Sequence, residues 1–361
     1  MPSTLFIFLP MVFGFVVVGV YLERKVSAFI QDRMGPMEVG KWGLLQLIAD
    51  LVKLIQKEDI VPFAAERKIF LAAPIVIFTS IFAGYAVLPL GPDLIGSSAE
   101  VGIFFLLTVI SVDVIGLLMA GWGSNNKYSL YGAMRAIAQI VSYEIPLGLS
   151  VLCVIMICQT LNLQEISFQQ GTYSLEPVYL FGIKKLGIEV THWGGVFCWN
   201  IVKNPFLFLA YIIFFITTLA EANRAPFDMP EGESELVGGF HTEYSGMRWA
   251  LMFLSEYAMM LLVSLLGAIL FLGSWNTPLP NIGALRLADW TGATPETITG
   301  NVLGAFWLLS KAFLGVLIQM WVRWTFPRLR VDQLMYLCWK VLTPVSLILF
   351  VISAFWRLLM V

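Results

Sequence analysis

The sequence predicts an all-α integral membrane protein that crosses a bilayer about eight times and carries an interfacial amphipathic helix in its first loop. Of the 361 residues 58% are hydrophobic and 13% charged, with a mean hydropathy of +0.82, whereas soluble domains carry about 25% charged residues. The apolar residues gather in runs of roughly 18 to 25, the length a helix needs to cross a hydrocarbon core of about 30 Å. These runs do not alternate between apolar and polar residues, which favours helices over a barrel.

In chain order the expected spans cover 5–22, 69–90, 101–121, 137–161, 205–220, 247–272, 302–324 and 336–356. The first is read as a retained span, because Met1-Pro2-Ser3-Thr4 lacks a positive n-region and Glu23-Arg24-Lys25 stands where a cleavage site would be needed. Loop Lys and Arg residues set the orientation. Odd-numbered loops hold Arg24, Lys25, Arg33, Lys53, Lys57, Arg135, Arg224, Arg328 and others, while even-numbered loops hold only Lys184, Lys185, Lys203 and Arg286. Odd loops are therefore expected in the cytoplasm and both termini on the opposite side.

Within the first loop (23–68), Gln46, Asp50, Lys53 and Lys57 form one stripe and Leu44, Ile48, Leu51 and Ile55 another. This spacing predicts an amphipathic helix over 43–57, too short and too polar to span, lying in the interface plane. A helix packed on the other spans without a ligand role fits the same pattern. The fourth loop, 162–204, has little charge and several aromatics, and no chemistry is assigned to it. No Pro/Gly-rich linker or internal repeat divides the chain, so residues 1–361 are read as one polytopic membrane domain.

Several function classes are excluded at this level. A net charge of -2 gives nucleic acid no basic patch. The four cysteines, Cys153, Cys158, Cys198 and Cys338, form no CxxC pair, and His192 and His241 are the only histidines. No metal site is expected, and any electron carriers of a redox assembly belong to partner subunits.

The informative residues are charges where charge is costly. Glu144 lies in the fourth apolar run and Glu256 in the sixth, and a carboxylate at mid-bilayer costs about 2.5–3.5 kcal/mol on insertion scales. Such groups must face a polar interior, find a partner or take up a proton. A proton relay and a structural carboxyl bonded to a neighbouring helix are both open. Asp113 interrupts the third run and Lys311 the seventh without a surrounding motif, and structural roles are expected for both. The acidic fifth loop (221–246) carries Glu221, Asp228, Glu231, Glu233, Glu235 and Glu243 around Arg224. It reads either as a solvated face or, given Pro226, Pro230 and the apolar stretch 236–240, as a folded-back loop whose crowded charges respond to charge changes nearby. On these features alone a stand-alone secondary transporter fits as well.

The motifs themselves narrow the choice. Glu23-Arg24-Lys25 with Gln31-Asp32-Arg33-Met34-Gly35-Pro36, Gly121-Trp122-Gly123-Ser124-Asn125-Asn126-Lys127 with Ser142-Tyr143-Glu144, and the segment 221–240 with Glu243-Tyr244 and Glu256-Tyr257 form three blocks. With Phe326-Pro327-Arg328-Leu329-Arg330, the chain resembles the H-type, or mitochondrial ND-one type, membrane subunit of complex I, the proton-pumping NADH:quinone oxidoreductase. It departs from the usual pattern at Met37 and Glu38, where members carry Asn and a basic residue, and Asp113 belongs to no family block.

The resemblance implies a subunit of a redox translocase, with no complete active site in this chain alone and no cofactor bound by it. Quinone is the implied substrate, with FMN and iron–sulfur clusters held by partner subunits of the hydrophilic arm. Matching positions place Arg24, Arg33, Asp50, Arg224 and Asp228 at the quinone chamber or its entrance. Glu221, Glu231, Glu233, Glu235 and Glu243 would line an acidic funnel, and Arg135, Glu144 and Glu256 would continue it toward small membrane subunits and the antiporter-like subunits. The implied location is a bacterial inner membrane, with a mitochondrial one as the lesser alternative. The membrane subunit of an energy-converting hydrogenase or ferredoxin-linked complex is the related alternative.

Overall fold

The computed structural model describes residues 2–174, 176–184, 187–230, 232–281 and 285–360, and among these it is helical without a strand, holding only isolated bridges at Pro89–Ile95 and Tyr179–Glu189. Helix α1 (Pro2–Ile30) runs beyond the expected first span and carries the first-loop charges Glu23, Arg24 and Lys25 on its last turns. The amphipathic helix α2 occupies Gln46–Gln56. It begins later than the expected residue 43 because Gly40 and Gly43 both take φ +75°, a left-handed turn that glycine adopts without strain. A Cβ at Gly43 would lie 2.2 Å from the Pro36 carbonyl oxygen. Leu47 of α2 is buried, whereas Ile48, Leu51, Val52 and Ile55 present an exposed apolar face, as a helix lying in a lipid interface requires.

Helices α3 (Arg67–Gly84) and α4 (Gly102–Gly123) form an antiparallel pair. They pack closely because Gly116 leaves room for Ile77, whose Cγ1 would sit 2.5 Å from a Cβ there; small residues give tight crossings where lipid removes the hydrophobic drive. Helix α5 covers Lys127–Cys158, starting ten residues before the expected 137. The Asn126 side chain accepts the Tyr128 N–H at 2.9 Å, an N-cap that lets polar residues, Arg135 included, extend the helix into the loop.

The fourth loop is ordered by α6 (Leu163–Phe168), 3-10 turns and α7 (Asn200–Lys203) into a cap over one end of the bundle. Helix α8 (Pro205–Glu221) follows, with Asn204 as N-cap and Pro205 in its first turn. The acidic loop contains a short α9 (Glu233–Leu236), then α10 (Gly246–Leu270), the central helix, which is 78% buried over its most apolar window. Around α10 stand α1, α3, α8 and α12 (Ile298–Thr325), the last preceded by α11 (Leu287–Thr291). Helix α13 (Val331–Tyr336) passes through a π-helical stretch, Leu337–Leu342, into α14 (Thr343–Met360). Among the described residues six of these helical stretches are long and apolar enough to cross a membrane, where eight spans were expected; the other two expected spans fall in α1 and in the shorter apolar α8, of 17 residues.

Candidate functional site

At the end of the bundle where α1 and α12 finish and α10 begins, a buried ion cluster joins four parts of the chain. Glu23 of α1, 5% exposed, receives Nη1 of Arg224 at 3.1 Å on each carboxylate oxygen. Arg323 of α12 and the Tyr257 hydroxyl of α10 also donate to Glu23, and the Arg224 guanidinium lies 4.3 Å from the Tyr257 ring centre. Two arginines against one carboxylate leave a net positive charge in a solvent-poor place. Nε and Nη2 of Arg224 are buried and have no hydrogen-bond partner among the described residues. Burial alone would disfavour the Arg224 charge, yet Glu23 and, behind it, Tyr257 and Glu256 raise its pKa above the ordinary arginine value.

A second group lies one step away. Glu256 adjoins Tyr257 on α10, and Glu221 ends α8 three residues before Arg224. Glu221, Glu256 and Asp113 line one small cavity of about 20 Å³ with Asn223, room for roughly one water molecule. The His241 imidazole lies 3.1 Å from the Glu256 carboxylate. Glu221 also faces a larger cavity of about 220 Å³ that it shares with Glu144, Thr218 and Ser111. Carboxyl groups with little solvent and water-sized voids between them are suited to holding and passing protons.

Other expected site residues sit around the rim. Arg24 pairs with Asp50 at 2.7 Å, tying α1 to the amphipathic helix, and Gln46 donates to the other Asp50 oxygen at 3.2 Å. Arg33 bonds Gln31 at 2.7 Å. Asp228 accepts from Arg328 at 3.0 Å, and Glu243 from Asn126 at 2.6 Å. Arg135, expected to continue the acidic funnel with Glu144 and Glu256, meets Glu235 at 2.5 Å at the edge of the acidic loop, because the N-cap at Asn126 puts it only two turns into α5. That hydrogen bond and the Arg135 charge hold the Glu235 carboxyl below its usual range. Glu231 lies outside the described residues, as does the side chain of Glu233.

Three members of these clusters escape a motif-based reading. Asp113, expected to be structural, shares the small cavity with Glu221 and Glu256. Arg323 falls inside the apolar run 302–324, and a charge so placed was itself the available signal. Tyr257 stands in the Glu256-Tyr257 motif, but the motif gives it no role of its own, since a buried hydroxyl is recognisable only by what it faces.

The profile of the family described as NADH dehydrogenase matches residues 3–354. The chain belongs to that family. Its relatives include an H-type chain of the NADH-quinone oxidoreductase of Cytophaga hutchinsonii, the one numbered 2, which is 62% identical over 352 residues, 96% of each chain. The H-type chain of the NADH-quinone oxidoreductase of Chlorobium luteolum is 52% identical over 341 residues, 94% of this chain and 84% of that one. Its counterpart in Chlorobaculum parvum is 52% identical over 338 residues, 94% and 87% of the two chains. Family membership therefore extends over both clusters, since the match runs from α1 into α14.

Proposed function

We propose that this chain is the quinone-site membrane subunit of a proton-translocating NADH:quinone oxidoreductase of a bacterial inner membrane. In this reading the odd loops face the cytoplasm and meet the hydrophilic arm, whose subunits carry FMN and iron–sulfur clusters. The observation that carries it is the continuity of the two clusters: Glu23, Arg224, Arg323 and Tyr257 adjoin Glu256, Asp113 and Glu221, and Glu221 opens toward Glu144.

Quinone enters beside the exposed apolar face of α2, where Arg24 and Asp50 fix that helix to α1. It takes two electrons from a cluster held by a partner and two protons, becoming quinol. A charge change beside Arg224 then alters the field on Glu256, which is electrostatically coupled to it. A proton displaced from the Glu256–Asp113–Glu221 group moves past Glu221 toward Glu144 and on to neighbouring membrane subunits. The rim pair Arg135–Glu235 keeps the acidic loop docked over α5.

Replacing Glu221 with Gln keeps the shape and removes the exchangeable charge. In inverted membrane vesicles we expect NADH-driven proton uptake to fall by about 10²-fold or more, the lower range for losing one general acid or base, with the complex still assembled. Full pumping and full quinone reduction in that variant would refute the role.

A further inference from the structure

At the opposite end of the bundle from the acidic loop, where α5 and α14 finish and α8 begins, a cavity of about 250 Å³ opens beneath the fourth-loop cap. Among the described residues Lys203, Arg357 and Lys184 line it, against the carboxylate of Glu176. Arg357 donates through Nη1 to the carbonyls of Met156, at 2.9 Å, and Ile157 near the end of α5. Lys203 donates to the Gln169 carbonyl. Asn204, 1% exposed, accepts the Phe206 N–H at 3.0 Å through its oxygen. Its amide nitrogen is buried with no acceptor among the described residues, and the residue lines the cavity. A buried donor left unsatisfied is destabilising, so a cavity lined by one and by three cations calls for an anionic oxygen. Burial also pulls the Lys203 ammonium below the usual lysine range, opposed only by Cys158, Cys198 and Glu176. An anion beside it would offset that effect of burial.

Two observations say what kind of anion fits. Trp356 lines the same cavity, its ring edge-on to Phe206 at 5.5 Å and its indole N–H bonded to the Phe181 carbonyl at 3.2 Å; tryptophans so held sit at headgroup depth. Arg357 is shared with a second, open groove of about 910 Å³ whose apolar wall is Val101, Ile155, Met156 and Leu358, with Glu100, Gln159 and Thr160 on its polar side. A free ion has no use for that apolar trough, whereas an acyl chain does.

We infer that the cavity under the fourth-loop cap is a binding site for the phosphodiester headgroup of an anionic phospholipid, held by Lys203, Asn204 and Arg357 with an acyl chain along the α5–α14 groove. The fourth loop, which has no part in the quinone and proton reading, thereby acquires a role as the roof of a lipid site. Arg357 both caps the α5 carbonyls and faces the phosphate, a pairing suited to the guanidinium fork.

The test uses the assembled complex in phosphatidylcholine nanodiscs doped with phosphatidylglycerol or phosphatidylcholine bearing a diazirine on one acyl chain, with labelled peptides identified by mass spectrometry. Phosphatidylglycerol should label residues 155–161 and 354–358 about fivefold or more over phosphatidylcholine, the factor expected from roughly one net charge interaction. The K203Q/R357Q double variant should fall to the phosphatidylcholine level, K203R/R357K should keep the preference, and quinone reduction should be unchanged in both. Equal labelling by the two lipids, or undiminished labelling of K203Q/R357Q, overturns the proposal. Displacement of the label by millimolar inorganic phosphate also overturns it, since it would mark a free-anion site. Should the neutral double variant fail to assemble, the lipid preference and phosphate competition of the unaltered complex still decide.

Discussion

Glu23 is the residue on which the largest electrostatic load falls. It is a single carboxylate facing Arg224, Arg323 and a tyrosine hydroxyl away from solvent. A buried ion pair is a poor source of net stability, but removing one member strands the other, at about 3–5 kcal/mol. Glu23→Gln should therefore destabilise the purified complex by that order, seen as a lower thermal midpoint, while Glu23→Asp loses less. An unchanged midpoint for Glu23→Gln would show that the arginines find other counter-charges. At the rim, Glu235 offers a pH test. Its carboxyl, held down by Arg135, contributes to loop docking above the pKa it has when undocked, and the contribution disappears as pH falls through the lower, docked value. Amide protection across residues 236–241, followed by hydrogen exchange, should persist to below the ordinary carboxylate value of about 4.3. In Arg135→Ala the carboxyl has nearly the same pKa docked and undocked, so protection should be lower at neutral pH and lose this pH dependence; identical profiles would show that Arg135 does not set the titration.

Among the elements, α2 rests on its preceding turn. A side chain at Gly43 meets both a positive φ and the Pro36 carbonyl, and a non-glycine residue in such a conformation costs about 1–3 kcal/mol. Gly43→Ala should loosen the docking of α2, raising amide exchange across Gln46–Gln56 and the KM for a long-tailed quinone more than for a short soluble analogue. Equal KM changes for the two would separate α2 from quinone entry. The membrane-length helices were legible because each is an apolar run of the required length, and α2 because its two stripes repeat with helical spacing. The starts of α2 and α5 were not, since they depend on local devices, a left-handed glycine turn in one case and the Asn126 cap in the other. Glu144 and Glu256 were legible as charges inside apolar runs, and Glu221 and Arg224 as members of the acidic loop. Their grouping with Asp113, Glu23 and Arg323 was not, because which helix faces are neighbours is decided by tertiary packing.

For the molecule as a whole, the uneven placement of Lys and Arg predicts how it sits in the membrane. A membrane-impermeant maleimide applied to the outside of intact cells should label Lys184→Cys and leave Lys57→Cys untouched until the membrane is opened. The four native cysteines are buried and provide a silent background. The reverse labelling pattern would invert the proposed orientation and put the acidic loop on the wrong side for a cytoplasmic arm.

The position of Glu23 also bears on how the chain is made. Its partner Arg323 lies 300 residues further along, so a ribosome delivers the acid to the translocon long before the base exists. Until Arg224 follows it this carboxyl must wait near the bilayer surface or as a neutral acid, and the site closes only when Arg323 arrives on the penultimate long helix. Truncated products would thus carry an unquenched polar spot at the mouth of the bundle, a mark by which quality-control proteases could tell unfinished copies from complete ones.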